Sequence, residues 1–300
     1  MLPLQFGTTP NPLFEKRYGV NNMSKSNKSG ANCATGGFTG ITDALKTWFF
    51  YFRNKFFRGT KIQGEPIFIV GCGHSGTSLL LVILGAHSKI FAVPHESRIA
   101  AHCRWRFLAA MRKFNRWAVA HGKTRWVEKT PKHIVHIDNI LKHRPNARIL
   151  LIIRDGRDVA CSLQKRHGSL EVGIQHWVKR NREGKKFWNH PNVHVLKYES
   201  LISDFEKTIR EVLAFVGEEY EPGITEYYKS PQKIEKPASE SGNEPDFRGW
   251  KVNQPIFDTR GKWRKLPEAD QTMIHKIGNG LLAELGYLEQ DPDCVVSTAA

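Results

Sequence analysis

The stretch of the chain with the clearest chemical meaning is a glycine-rich segment, GCGHSGTS, at residues 71–78. It follows a short apolar run, PIFIVG (66–71), and leads into a second one, SLLLVILG. Glycines let the backbone curl so that successive N–H groups point at one anion, and a helix that starts there adds its N-terminal dipole. A strand, a loop and a helix in this order predict a site for a phosphate-type anion, with a purely structural turn as the alternative.

This segment differs from the nucleotide-binding P-loop at one important position. The P-loop pattern is G-x-x-x-x-G-K-[ST]. Gly71, Gly76 and Ser78 fit the pattern, but Thr77 stands where the lysine belongs. A magnesium-dependent NTPase needs that lysine on its β- and γ-phosphates. We therefore expect the loop to bind a phosphate-type group without supporting ordinary ATP hydrolysis.

A second candidate anion site follows the strongest strand pattern of the chain, ARILLIIR (147–154). This pattern ends at Arg154, and Ser162 lies eight residues further on, within a helical pattern that also contains Arg157. A guanidinium fork beside a hydroxyl suits a terminal phosphate. For Arg154 alone, a surface ion pair with a neighbouring aspartate is the alternative interpretation.

Together these two elements resemble the donor-binding elements of the sulfotransferases that use 3′-phosphoadenosine 5′-phosphosulfate (PAPS). The first is similar to their 5′-phosphosulfate loop, G-x-x-[RK]-S-G-T-[ST], and the second to the element that holds the 3′-phosphate. The resemblance implies PAPS as donor substrate, no metal, and a donor site that contains Gly73, His74, Ser75, Gly76, Thr77, Ser78, Arg154 and Ser162. His74 departs from the Arg or Lys of relatives, and it carries their charge only when it is protonated.

Two further segments imply catalytic residues. HESR (95–98) resembles the E-[ST]-R segment of tyrosylprotein sulfotransferases, whose Glu is the catalytic base, and this implies Glu96 as base. His95 is the alternative base, because cytosolic relatives use His. EKTPKH (128–133) resembles a motif whose Lys reaches the transferred sulfate, which implies a catalytic role for Lys129 beside His74.

Two later segments imply further donor contacts. KYESL (197–201) and GKWRKLP (261–267) resemble recurring segments of the superfamily and imply that Tyr198 and Lys262 contact the donor. The segments as a whole are most similar to the tyrosylprotein and carbohydrate branch. By contrast, His133 and His136 are at a helical spacing that zinc could use, but no third ligand is nearby in sequence, and we interpret both as ordinary helix residues.

Apolar strand patterns alternate with helical patterns from about residue 65 onward. The strands are predicted at 66–71, 89–93, 147–154 and 192–198, with a short one in RWVEKTP. This alternation is typical of an α/β fold with a P-loop-type parallel sheet and helices on both faces, as in sulfotransferases. One basic helix is predicted over about 96–120, and another over ESLISDFEKTIREVLAFVG, ending at Gly217.

The chain is predicted to have four parts. Residues 1–40 are a polar tail, and 41–60 form an amphipathic helix of aromatic and basic residues, which either packs on the domain or lies on a membrane surface. Residues 62–290 form the catalytic domain, with a long loop at about 230–262, and 291–300 are a C-terminal tail.

Composition sets the remaining limits. The 300 residues include 45 Lys and Arg against 29 Asp and Glu, a net charge of +16. This excess favours an anionic partner, but charge alone does not distinguish nucleic acid, a membrane or a small anion. Five widely spaced cysteines disfavour a disulfide framework. With no apolar run of roughly 18 residues and no secretory-signal pattern, we expect a cytoplasmic protein, with peripheral membrane contact as the alternative.

The function predicted from the sequence is sulfuryl transfer from PAPS to an acceptor hydroxyl of a protein tyrosine, a carbohydrate or a small alcohol. The abundance of basic residues would also suit an acidic acceptor. Two other classes remain as alternatives. One is a P-loop nucleotide kinase or NTPase, and the other, less favoured because no zinc-finger or RNP-type motif is present, is a basic nucleic-acid-binding protein.

Overall fold

A five-stranded parallel sheet lies at the centre of the computed structural model, which describes residues 62–232 and 253–288. The strands pair in the order β2-β3-β1-β4-β5, and every pair is parallel. This confirms the predicted fold class. Their bounds are β1 Ile67–Gly71, β2 Ile90–Ala92, β3 Arg125–Lys129, β4 Arg148–Ile153 and β5 Val193–Lys197.

The central strands are buried because helices cover both faces of the sheet, which is why they appear in the sequence as continuous apolar runs. All five residues of β1 are buried. Ile69 of β1 pairs with Lys129 of β3 on one side and with Leu150 of β4 on the other. This register brings the carboxyl ends of three strands to one edge, where parallel sheets usually bind ligands.

The helices divide between the two faces of the sheet. One apolar cluster joins the sheet to α2, α3, α4, α5 and α8, and the other joins it to α1, α6 and α7. Their bounds are α1 Thr77–Gly85, α2 Arg104–Ala120, α3 Ile137–His143, α4 Gly156–His167, α5 Leu170–Lys185, α6 Tyr198–Ser203, α7 Phe205–Val216 and α8 Glu268–Glu284. Short 3-10 helices occupy Ile99–Ala101, Pro131–Val135, Pro222–Lys229 and Lys262–Lys265.

Two predicted helices differ from those observed. The helix expected over 96–120 begins only at Arg104, because Arg98 is left-handed, with φ of 52°, and its backbone amide bonds to Thr130 instead of continuing a helix. The helix expected to end at Gly217 is two helices, α6 and α7, separated at Asp204, where φ is −146°. Its predicted end is confirmed, since Gly217 has φ of 78°.

Several predictions fall outside the described residues. These are the tail at 1–40, the amphipathic helix at 41–60, the C-terminal tail at 291–300 and most of the loop at 230–262. Among the helices that the structure does describe, none is both long enough and apolar enough to cross a bilayer.

A close contact between the start of α4 and helix α5 yields a test of the packing. A Cβ at Gly156 would lie 2.5 Å from the ring of Trp177, which is buried and donates its indole N–H to the Arg154 carbonyl at 2.9 Å. We expect Gly156→Ala to lower the free energy of unfolding by about 1–3 kcal/mol through overpacking. Gly223→Ala is the matched control, because no atom of residues 62–232 or 253–288 would lie within 4 Å of its Cβ. Urea unfolding of both variants measures the difference, and equal stability would contradict this packing.

Candidate functional site

A cleft of about 550 Å³ opens at the carboxyl edge of the sheet. Its lining brings together the predicted site residues from six separate stretches of the chain, with the exception of Ser75, whose side chain is buried. The predicted residues that line it are Gly73, His74, Gly76, Thr77, Ser78, Glu96, Lys129, Arg154, Ser162, Tyr198 and Lys262.

The loop between β1 and α1 is curled by two left-handed residues, His74 with φ of 67° and Gly76 with φ of 95°. Gly76 is the N-cap of α1, and no side chain caps the helix. Because Leu80 makes the first bond back to Gly76, at 3.0 Å, the preceding amides of the first turn have no acceptor within the helix. The buried Ser75 hydroxyl has no hydrogen-bond partner among the described residues. This arrangement is suited to an anion with several oxygens.

Tyr198 fixes the position of this loop against its surroundings. A Cβ at Gly76 would lie 2.5 Å from the ring of Tyr198, so the contact requires glycine for space as well as for its φ angle. The same ring stacks under the Arg154 guanidinium at 4.4 Å, and its hydroxyl lies 2.8 Å from that of Thr259. One side chain thus joins the glycine-rich loop, Arg154 and the segment that begins at residue 253.

Arg154 stands directly after β4 and is held at several points. It donates to the His74 carbonyl at 3.3 Å and to the Thr259 carbonyl at 2.9 Å, and it lies 3.7 Å from the Asp158 carboxylate. Its Nε has no hydrogen-bond partner among the described residues. The nearby Ser162 hydroxyl donates to the Asp158 carbonyl at 3.0 Å. A largely buried, pre-positioned guanidinium beside a hydroxyl is well arranged for a terminal phosphate.

Asp158 brings a distant segment to the cleft, a role that the sequence did not suggest. Its buried carboxylate accepts the backbone amides of Gly261 at 2.8 Å, Lys262 at 2.7 Å and Trp263 at 3.4 Å. A carboxylate that accepts several amides acts as a charge-assisted cap. This cap places Lys262 in the lining beside Arg154.

Arg157, by contrast, does not line the cleft, and its expected place around the anion is wrong. It pairs with Asp155 through two nitrogens, donates to the Tyr287 carbonyl at 2.7 Å and stacks on the ring of Trp263 at 3.9 Å. Arg157 therefore attaches the C-terminal part of the fold. The sequence pattern showed that it was near the turn but not which way it pointed.

The predicted base and the predicted sulfate-contacting lysine lie side by side. The Lys129 ammonium, at the end of β3, donates to Glu96 Oε1 at 2.7 Å. The His95 ring lies elsewhere and packs on Phe114 and Trp117 of α2, with ring centroids 6.1 and 5.7 Å away. His95 is not among the residues that line the cleft.

A fully buried carboxylate, Glu128, lies beneath this pair. Its Oε1 accepts the amide and hydroxyl of Ser97 at 3.0 and 2.7 Å and the Thr130 hydroxyl at 2.5 Å, while His133 lies 3.2 Å from Oε2. Burial alone would raise the pKa of Glu128, but His133 and these hydrogen bonds lower it from 4.5 to about 2. His133 thus lies against the Glu128 carboxylate. Among the described residues, no cluster of three His, Cys, Asp or Glu side chains could hold a metal.

The cleft has more positive charge than the predicted residues alone would give. Arg98, Lys132 and Arg180 also line it, as does the His176 ring, and Glu96 is the single carboxylate among the described lining residues. A concave surface with this balance attracts anions. Arg98 belongs to the HESR segment, but nothing in the sequence pattern indicated the face of α5 that carries His176 and Arg180.

Comparison with known proteins agrees with this fold. Residues 100–222 match the profile of a family described as the sulfotransferase family. The structure is similar to that of mouse sulfotransferase SULT7A1 complexed with PAP, at 14% identity and a TM-score of 0.51, covering 76% of this chain and 88% of that one. The fold of the chain is therefore that of the sulfotransferases.

Two other comparisons give the range of similarity. A sulfotransferase domain from the curacin biosynthetic pathway is 17% identical, with a TM-score of 0.49, and the match covers 76% of this chain and 99% of that one. An uncharacterized protein of Aquifex aeolicus (strain VF5) is 26% identical over 210 residues, which cover 57% of this chain. The match spans only 28% of the length of that curated relative.

The lowered pKa of Glu128 predicts how stability changes with pH. Since the folded-state pKa lies below the ordinary value, Glu128 stabilises the fold above pH 4.5, and this contribution is lost as the pH falls from 4.5 towards 2. We expect the difference in unfolding free energy between the wild type and Glu128→Gln to be largest near neutral pH and to shrink across that range. Urea unfolding at a series of pH values measures it, and a constant difference would contradict the assignment.

Proposed function

We propose that this protein is a sulfotransferase that moves a sulfuryl group from PAPS to the hydroxyl of an acceptor. The observation that supports this most strongly is found in one cleft of a sulfotransferase fold. The N-terminus of α1 on the glycine-rich loop lies there together with Arg154, directly after the neighbouring strand β4, and Ser162 of α4. These two anion sites match the two charged ends of PAPS, the phosphosulfate and the 3′-phosphate.

The residues present fit the donor on physical grounds. The first-turn amides of α1, with the hydroxyls of Thr77 and Ser78, would hold the phosphosulfate. The buried Ser75 hydroxyl in the same loop has no hydrogen-bond partner in the described part of the chain. Arg154, Ser162 and Lys262 would hold the 3′-phosphate. Tyr198, which contacts both regions, would line the space between them.

The proposed chemistry needs a base for the acceptor and positive charge for the group in transfer. Glu96 would accept the proton of the acceptor hydroxyl, a role worth roughly 10²–10⁴ in rate. The hydroxyl oxygen then bonds to sulfur while the bond from sulfur to the donor phosphate oxygen breaks, and 3′,5′-ADP leaves with that electron pair. Lys129, 2.7 Å from Glu96, and His74 in the loop would stabilise the charge that develops in transfer.

The remaining lining of the cleft supports a proposal for the acceptor class. The cleft also contains Arg98, Lys132 and Arg180, which are not among the residues proposed to bind the donor. These cations favour an acceptor that itself carries negative charge near its hydroxyl. The HESR segment supports a place in the tyrosylprotein and carbohydrate branch. We therefore rank acidic tyrosine peptides and acidic glycans ahead of neutral alcohols.

The 3′-phosphate assignment predicts a ligand-specific loss of affinity. Arg154→Gln removes a charge-assisted interaction worth about 1.5–3 kcal/mol, so the affinity for 3′,5′-ADP should fall roughly 10- to 100-fold. The affinity for 5′-AMP, which has no 3′-phosphate, should change little and serves as the control ligand. Isothermal titration measures both, and an equal loss for the two nucleotides would count against this assignment. If the wild-type protein does not bind 3′,5′-ADP but hydrolyses ATP with magnesium, the proposed function is wrong.

The base assignment predicts a loss of turnover without a loss of donor binding. In a labelled-PAPS screen against tyrosine peptides, glycans and alcohols, Glu96→Gln should lower turnover with the best acceptor by roughly 10²–10⁴. Its affinity for 3′,5′-ADP should stay close to that of the wild type. His95→Gln is the matched control and should keep its turnover, since His95 packs among aromatic rings. The reverse result would assign the base to His95.

A further inference from the structure

The loop that carries Glu96 has little regular structure of its own to hold it in place. It lies between β2 and the 3-10 helix at Ile99–Ala101, and Arg98 within it is left-handed, with φ of 52° and ψ of 22°. For a residue other than glycine this conformation costs on the order of 1–3 kcal/mol and persists only where the surroundings impose it. Some group outside the loop must therefore impose it.

Glu128 and its neighbour Thr130 supply those contacts. Ser97 gives both its amide and its hydroxyl to Glu128 Oε1, and the Arg98 amide donates to the Thr130 hydroxyl at 3.3 Å. Thr130 in turn donates to the same carboxylate oxygen. The two residues that follow Glu96 are thus attached, directly or through one hydroxyl, to a single buried carboxylate.

The other oxygen of Glu128 faces His133, whose ring contacts the 3-10 helix that follows the loop. His133 Nε2 accepts the Ala100 amide at 3.2 Å, so the ring proton is on Nδ1, which lies 3.2 Å from Glu128 Oε2. Both residues are essentially without exposure to solvent. Glu128 therefore holds Ser97 by hydrogen bonds, and it lies in ion-pair distance of the His133 ring that contacts Ala100 beyond Arg98.

The strand that bears Glu128 also bears Lys129. Successive residues of a strand point to opposite faces, and here Glu128 lies under the loop while Lys129 reaches the cleft and meets Glu96. Two adjacent residues of β3 thus position this pair: Glu128 holds the loop that carries Glu96, and Lys129 contacts Glu96 directly.

We propose that Glu128 is a positioning residue for sulfuryl transfer, which holds the 96–98 loop so that Glu96 stays beside Lys129 in the cleft. This inference rests on the function proposed above, in which Glu96 is the base. Glu128 itself does not line the cleft and has no contact with the reacting groups. Its effect is on geometry, and small displacements of a catalytic group reduce rate strongly.

Replacement by glutamine tests the carboxylate without removing its bulk. Oε1 of Glu128 accepts from Ser97 and Thr130, and Oε2 lies 3.2 Å from His133 Nδ1. The amide NH₂ of glutamine is itself a donor, so Glu128→Gln must lose one side of the attachment. Glu218→Gln is a matched control, since Glu218 is a buried carboxylate paired with Arg125 at 3.1 Å, and neither partner lines the cleft.

The first measurement needs no acceptor. Hydrogen exchange of the Ser97 and Arg98 amides should become at least about tenfold faster in Glu128→Gln, because the acceptors that protect them are lost or displaced. The same amides should exchange at the wild-type rate in Glu218→Gln. Unchanged exchange at both positions in Glu128→Gln would overturn the proposal. If that variant does not fold, Ser97→Ala removes one contact to the same oxygen and should speed exchange at Arg98.

The second measurement is a double-mutant cycle on turnover with the best acceptor of the screen. Glu128→Gln should lower kcat roughly 10- to 100-fold, with the Kd for 3′,5′-ADP within about twofold of the wild type. In a Glu96→Gln background it should lower kcat no further, because it acts through Glu96. An additional loss in that background would overturn the positioning role. If Glu96→Gln alone keeps full turnover, the base assignment fails, and the exchange result still reports separately on the attachment of the loop.

Discussion

The cleft depends on one constraint, the parallel register that ends β3, β1 and β4 side by side. With Ile69 between Lys129 and Leu150, the residues that follow each strand emerge at one edge, although they are far apart in sequence. The glycine-rich loop, the Lys129 ammonium and the Arg154 guanidinium then meet without any of them needing a long excursion from the sheet. Three buried strands thus fix the points at which these segments leave the sheet.

Two buried carboxylates hold in place the irregular segments that lie beyond the strands. Glu128 holds the loop after β2, and Asp158 holds the turn at 261–263, each by accepting backbone or hydroxyl protons of residues with irregular backbone. Neither carboxylate lines the cleft. In a protein with a net charge of +16, buried acidic groups thus organise the loops that carry the cations of the site. Part of the excess of basic residues therefore lines the cleft.

The sequence was sufficient for the sheet and for the residues whose roles follow from local pattern. Buried parallel strands are continuous apolar runs, and a glycine-rich strand-to-helix turn has its own composition, so β1, β4 and the 71–78 loop could be predicted. Side-chain direction could not, and Arg157, two residues past the Asp155 that caps α4, points away from the cleft. Helical periodicity also missed the loop at 96–98, because the contact that breaks the helix comes from Glu128, some 31 residues away in sequence. Long-range contacts of this kind have no local signature.

The ring of Tyr198 occupies the space that a side chain at residue 76 would need, and its other contacts are to Arg154 and Thr259. The two proposed anion sites of the cleft therefore share a structural element. Coupling between two binding sites is reciprocal. If an anion at the glycine-rich loop orders the Tyr198 ring, it also orders the Arg154 guanidinium and the 253–263 segment that the ring contacts, and an anion at Arg154 has the same effect on the loop. Two anionic groups joined in one molecule would gain from this coupling, while the same groups supplied separately would each have to order the shared ring.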